Sequence, residues 1–260
     1  MAERTHIDLN ADLGEWSSAQ GQDADQALLA LISSANVACG FHAGGPQTMQ
    51  ATVERAAALG CAIGAHPSYP DPAGFGRRFL DATPDEIYAD VLYQIGALSG
   101  FCRATGAALV HVKAHGALYN RAAVEARTAG AIARAVRAFD PRLLLMAPPD
   151  SVLLQAGRDA GLTVLAEVFA DRAYNADGTL VSRRLPGAMI DEPREAARRA
   201  LRMAREGLVT AIDGTEIALE ADTICLHGDA PGAVERARAI RAALDAAGIH
   251  VAARARDTGA

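Results

Sequence analysis

Seven histidines, a single lysine and a set of carboxylates carry most of the chemistry available to this 260-residue chain. Positive charge is written as arginine 24 times and as lysine once, at Lys113, inside LVHVKAHGALYN (109–120). A compact ammonium kept at one position can stabilise a carbonyl or phosphoryl oxygen as negative charge develops, an effect worth ~3–4 kcal/mol for a well-placed donor. Burial could instead depress its pKa and make it a base or a nucleophile. The flanking His111 and His115, with His42, His66 and His227, can move protons near neutral pH. Asp12 and Glu15 together with His42 and His66 also offer the carboxylate and imidazole donors that suit zinc and related ions, although their spacing alone does not define a metal site. No GxxxxGK[ST] or GxGxxG segment is present, so no familiar nucleotide-phosphate loop is visible.

These residues need elements to position them. Short apolar runs alternate with alanine-rich helical stretches, the pattern of repeated β-α units around a parallel sheet. Strands are expected near 7–10, 35–39, 62–65, 109–112, 143–147, 164–168 and 223–227, with a short last one at 249–252. Helices are expected over 46–59, 84–105, 122–139, 192–206 and 233–247, some opening with proline near the first turn. Seven or eight units predict a closed or nearly closed α/β barrel. The segment LVTAIDGTEIAL (208–219) carries an Asp-Gly turn signal and reads as an inserted hairpin. Segments 66–82 and 171–187 are long loops rich in Pro, Gly, Asp and Arg, of a length that is often functional.

Side chains alternate along a strand, so residues two apart share a face. Asp8, Asn10 and Asp12 fall opposite Ile7, Leu9 and Leu13, and His111, Lys113 and His115 fall opposite Val110 and Val112. His227 and Asp229 face away from Ile224 and Leu226, Asn36 and His42 share one face, His66 closes the third strand, and Glu167 pairs in parity with Asp171. In a barrel wrapped by helices the polar parity converges on the axis and mouth, where parallel α/β sheets place their sites. The same alternation sets Cys39 away from His42 and disfavours a thiol nucleophile there. His6 and His250 lie outside the pattern and read as structural. Asp8, His111 and Glu167 are divided between a structural polar layer and active groups.

Composition narrows the function classes. Half the residues are apolar, enough for a full core in one domain spanning 1–260. A formal charge of -6 argues against nucleic acid as a partner. No apolar run approaches the roughly 20 residues needed to cross a bilayer, and MAERTHIDLN lacks a hydrophobic signal core, so a cytoplasmic location without membrane association is expected. The four cysteines form no CxxC and read as small buried side chains.

Six blocks together carry a more specific resemblance. IDLNADLGE (7–15), NVACGFHAGGP (36–46), GAHPSYPD (64–71), HVKAHGALYN (111–120), EVFADRAYNADGTLVSR (167–183) and ICLHGD (224–229) are similar, in order, to the signature blocks of the LamB/YcsF family. The resemblance implies a seven-stranded β/α barrel related to the glycoside hydrolase and deacetylase barrels. It also implies a part in ATP-dependent opening of 5-oxoproline (pyroglutamate) to L-glutamate, with ADP and phosphate released and Mg2+ accompanying ATP in the full complex. Two further 5-oxoprolinase subunits would complete the enzyme and supply much of the activation. In that setting Lys113 and Arg172 would hold an anionic oxygen or carboxylate. Asp12 and Glu15 would orient or deprotonate water, and His42, His66, His115 or His227 would move protons. Asn10, Asn36, Asp171 and Asp229 would complete the substrate-binding surface. Two positions depart from the family pattern, which leads one to expect proline at Ala114 and aspartate at Gly45. A metal-dependent carbohydrate deacetylase or hydrolase, and a non-catalytic subunit that binds 5-oxoproline, are the competing readings.

Overall fold

Strand β1 (His6–Leu13) is the seam of the sheet. It pairs in parallel with β2 (Ser34–Ala38) on one side and β9 (Thr223–Leu226) on the other, and between them run β3 (Ala62–His66), β4 (Leu109–Lys113), β5 (Leu144–Ala147) and β6 (Val164–Phe169). The order β1-β2-β3-β4-β5-β6-β9 therefore closes on itself as a barrel of seven parallel strands. This is a computed structural model and it describes residues 5–16, 18–228 and 232–255. A short β10 (His250–Val251) extends the sheet below the seam, and β7 (Leu208–Thr210) with β8 (Glu216–Ala218) forms the expected antiparallel hairpin.

The helices are α1 (Ala19–Leu29), α2 (Pro46–Ala58), α3 (Pro84–Thr105), α4 (Gly116–Ala122), α5 (Ala126–Phe139), α6 (Val152–Asp159), α7 (Pro193–Glu206) and α8 (Ala233–Ala246). Local chemistry sets several of their ends. Thr83 and Glu86 form a capping box around Pro84, and Gly106 ends α3 in the left-handed region at φ 72°. Helix α5 buries Ala129, Ala131, Ile132, Ala135 and Val136, and its small alanines let the helix lie close to its neighbours. The apolar core lies between strands and helices, where Leu9, Leu13, Val37, Val112 and Val168 are buried.

Three helices depart from expectation. Helix α1, AQGQDADQALL, is mostly polar and gives little apolar periodicity to detect. Helix α4 lies largely inside the 111–120 block and ends at Ala122, where the sequence pattern opens a single helix over 122–139; Ala126 opens the longer one. Helix α6 has only 8 residues. Strand β2 ends at Ala38, so His42 sits in the following loop and strand alternation does not place it. No described helix is long and apolar enough to cross a membrane.

The inner face of the barrel is divided. Register sets Leu144 beside His111, Met146 beside Lys113 and Leu165 beside Met146, so one wall is apolar. The opposite wall, on β1, β2 and β9, is polar. At Gly64 the β3–β4 register shifts, and a Cβ there would stand 2.0 Å from His111 Nε2. Glycine is what admits the imidazole to the axis.

Candidate active site

The deepest polar layer is a closed hydrogen-bond network. Asp8 Oδ1 accepts from the hydroxyls of Ser33 (2.6 Å) and Ser34 (2.7 Å), and its Oδ2 accepts from Thr223 (2.5 Å). Burial pushes the Asp8 carboxyl above its ordinary pKa, although those three hydroxyls pull it back. The Asn10 amide donates to Thr223 Oγ1 (2.7 Å), and the Asn36 amide donates to Asn10 Oδ1 (2.7 Å) and to Asp12 Oδ1 (2.9 Å). His111 Nε2 donates to Asn36 Oδ1 at 2.8 Å. Burial, with the Lys113 charge adding, lowers the His111 pKa to about 3, so the ring stays neutral. Asn10 and Asn36 are wholly buried; the Asn36 amide holds Asp12, and Asn10 Oδ1 accepts from Asn36 and from Lys113 Nζ at 3.3 Å.

Lys113 crowns this layer. Its Nζ lies 2.8 Å from Asp12 Oδ1, 2.9 Å from Glu167 Oε1 and 2.9 Å from Cys225 Sγ. Burial alone would lower its pKa, but Asp12, Cys225 and Glu167 outweigh burial and raise it well above the ordinary value. Lys113 is therefore a cation, and the depressed-pKa base or nucleophile left open by the sequence is set aside. Burial likewise opposes ionisation of Asp12, yet His66 and Lys113 hold its pKa well below the carboxylate range. Tyr119, on α4, donates to the second oxygen of Glu167 at 2.7 Å.

Three histidines and Glu15 form the mouth. His66 and His115 approach ring to ring, Nε2 to Nδ1, at 3.0 Å, and His42 stacks on His115 with centroids 3.8 Å apart. His42 Nε2 lies 2.8 Å from Glu15 Oε1. Burial, with His66 adding, lowers the His42 pKa to about 3, whereas Asp12 outweighs burial at His66 and raises it. Burial and then His66 depress His115. Gly76, at φ 62°, seals this group from the loop side; a Cβ there would come within 2.8 Å of His115 and 2.9 Å of His42.

A fourth histidine stands beside these three. His227 Nδ1 lies 2.9 Å from Asp171 Oδ2, so the carboxylate fixes the tautomer and leaves Nε2 as the proton-accepting atom. His227 offers a donor atom within 4.8 Å of Asp12 and Cys225, so this dyad borders the lysine. The ring of Phe169 stacks on His227 and lies 5.6 Å from Lys113 Nζ. Against the mouth is a cavity of about 660 Å³ lined by residues that include Glu15, Trp16, His42, Gly45, Thr48 and Phe75. Gly45 thus borders open space, with nothing within 4 Å of where a Cβ would stand, whereas Ala114 is buried between Lys113 and His115.

The structure brings Asp12, Glu15, His42, His66, Lys113 and His115 into one cluster, with Asn10 and Asn36 beneath and Asp171 and His227 beside it. Arg172 is placed differently: its Nη2 donates to the Val181 carbonyl at 2.7 Å within the 171–190 loop, and its buried Nε has no hydrogen-bond partner among the described residues. Asp229 lies outside the described residues. Sequence reasoning passes over Cys225, Tyr119 and Phe169. Cys225 shares strand parity with His227, which is the available signal; Tyr119 stands on a helix that the sequence pattern does not announce.

A closed seven-stranded β/α barrel whose carboxyl-end mouth gathers a buried cation, carboxylates and imidazoles defines a barrel enzyme. Residues 7–258 match the model of the LamB/YcsF family, and the chain belongs to that family. It is 56% identical over 247 residues to the A subunit of 5-oxoprolinase from Symbiobacterium thermophilum, covering 95% of each chain. It also superposes with a TM-score of 0.91 on the crystal structure of the lactam utilization protein from Thermus thermophilus, at 53% identity and covering 96% of this chain and 100% of that one. A T48 deacetylase, 15% identical with a TM-score of 0.51 over 95% of this chain and 87% of its own, shares the fold.

Proposed function

We propose that this chain is the A-type subunit of an ATP-dependent 5-oxoprolinase and carries the groups that open the lactam to L-glutamate. The observation that carries the reading is the Lys113 ammonium, locked between Asp12 and Glu167 under a histidine-lined mouth. Kinship to relatives named as 5-oxoprolinase A subunits supplies the substrate.

A five-membered lactam resists water because its carbonyl is stabilised by the ring nitrogen and nitrogen leaves poorly. Transfer of a phosphoryl group from ATP to the amide oxygen removes the first obstacle and provides a leaving group. ATP, with Mg2+, enters through two partner subunits, and this barrel receives the activated ring. Water adds at the carbonyl carbon while Lys113 stabilises the negative charge of the phosphorylated oxygen. His227 Nε2, held in its tautomer by Asp171, takes the proton of that water and returns it to the departing ring nitrogen, which leaves the γ-glutamyl phosphate; a second water then displaces inorganic phosphate and gives L-glutamate. Asp12 holds Lys113, while Asn10 and Asn36 act as positioning residues beneath it. Arg172, whose buried Nε is unpaired among the described residues, receives the substrate carboxylate.

The test is glutamate release from 5-oxoproline and ATP by the purified chain, alone and with both partner subunits. Release in the mixture only is the expected result. A mixture of folded subunits that releases none overturns the reading.

A further inference from the structure

With both rings neutral, the nitrogens that face each other across the His66–His115 contact carry lone pairs. His66 Nδ1 lies 2.7 Å from the carbonyl oxygen of Lys113, and His115 Nε2 lies 2.9 Å from that of Phe75. A carbonyl can only accept, so each of those nitrogens bears the ring hydrogen. In neutral rings the opposite atoms, His66 Nε2 and His115 Nδ1, are then both acceptors, 3.0 Å apart, on side chains that are 1% and 6% exposed. Glu15 Oε1 is a third electron-pair donor aimed at the same point, 3.7 Å from His66 Nε2 and 3.4 Å from His115 Nδ1. With both rings neutral, three acceptors converge with no donor among them, and Asp12 Oδ2 adds a fourth at 3.4 Å from His66 Nε2, an arrangement that is repulsive unless a proton or a metal cation sits between them.

The spacing and anchoring suit a metal ion. Ligands about 2.0–2.1 Å from a tetrahedral zinc are separated by roughly 3.3–3.4 Å. The three separations here, 3.0, 3.4 and 3.7 Å, bracket that edge. An imidazole that ligates through one nitrogen ordinarily donates its other N–H to a carbonyl or carboxylate, which fixes tautomer and orientation. Both rings are tethered in that way. His42 is excluded from the ligand set by its geometry: its ring lies parallel to His115, at 5° and 3.8 Å, and in-plane lone pairs of parallel rings do not meet at one ion. It serves as a positioning residue, with Nε2 against Glu15 Oε1 at 2.8 Å. We propose that His66 Nε2, His115 Nδ1 and Glu15 Oε1 bind one divalent transition-metal ion of the zinc class, with a fourth position left open. Three protein ligands and an open position is the count of a catalytic rather than a structural zinc site. The proposal concerns binding and stands independently of the lactam-opening reading.

The experiment uses the full chain, treated with chelator, dialysed and titrated with Co2+ and then Zn2+. One equivalent of Co2+ with the visible absorption of a tetrahedral N2O-type site, displaced by Zn2+ and untouched by millimolar Mg2+, is expected. Glu15→Gln, at the rim of the group and nearly isosteric, is expected to weaken binding by at least about 10-fold, and His42→Gln by about 10- to 100-fold. Binding that survives both Glu15→Gln and His115→Gln unchanged would place the metal elsewhere and overturn the proposal. So would a folded wild-type protein that takes up neither ion. Nitrogen NMR showing one proton shared between His66 and His115, persisting with equimolar Zn2+, would assign the positive charge to a proton and likewise overturn it.

Discussion

The floor and the mouth of the barrel are built from the same residue types and satisfy them in opposite ways. In the floor each polar group meets its complement: three hydroxyls close on Asp8, Asn10 donates to Thr223, Asn36 to Asn10, and His111 to Asn36. At the mouth some complements are missing: among the described residues His42 Nδ1 is buried without a hydrogen-bond partner, and the His66 and His115 ring nitrogens face each other at 3.0 Å. A fully satisfied buried network rigidifies what stands on it, whereas unmatched buried groups are costly and persist where chemistry uses them. The floor is scaffold, and it aims Asp12 and Lys113 at the mouth.

Substitutions in each region should therefore fail differently. His227→Gln, in the mouth, removes the proton acceptor and keeps the contact to Asp171, and is expected to lower complex-dependent turnover by roughly 10²–10⁴-fold. Its thermal unfolding should remain close to wild type, and a large loss of stability with unchanged turnover would reverse the division. Gly64→Ala acts in the floor. The added methyl must displace the His111 ring, and overpacking of this kind costs about 1–3 kcal/mol, read as a lower denaturant midpoint. An unchanged midpoint would mean the axis is looser than the 2.0 Å approach implies.

Asp25 sharpens the comparison at the edge of the mouth. Its Oδ2 accepts from the Gly14 N–H at 2.7 Å, yet burial, with the Glu15 charge adding, pushes its pKa up to about 7. A raised carboxyl pKa means the fold favours the protonated form. The stability this contributes is complete below about pH 4 and is lost as pH rises through about 7. Asp25→Asn stays neutral throughout, so it should match wild type near pH 3.5 and exceed it by about 1–3 kcal/mol at pH 8. Thermal unfolding at the two pH values reads the difference; an equal gap at both would rule out the titration as its cause.

The barrel is legible in sequence because alternation is strict inside strands. Asp8, Asn10 and Asp12 share a face of β1 in the structure as in the sequence, and Lys113 meets Asp12 across the axis. Legibility stops where strands stop. His42 and Asp171 reach the site from loops, and their positions depend on packing by Gly76 and on the Asp171–His227 contact rather than on period. Arg172 is likewise positioned by its loop rather than by period: a backbone carbonyl engages its Nη2. Cys225 reads as filler because thiols bury readily, and only the fold reveals its sulfur 2.9 Å from the lysine. The facing of the His66 and His115 ring nitrogens cannot be read in sequence at all, since it arises from carbonyls at Lys113 and Phe75 that the fold brings to the rings.

Lactam opening is expected to depend above all on the Lys113 cation, held by Asp12 and Glu167. Glutamate release from 5-oxoproline and ATP should be measured with the complete set of subunits carrying either wild-type chain or Lys113→Met, with circular dichroism confirming the folded barrel in each. The predicted result is a loss of at least about 10²–10³-fold in turnover, the scale of one oxyanion donor. Turnover within a few-fold of wild type from a folded Lys113→Met chain would contradict it.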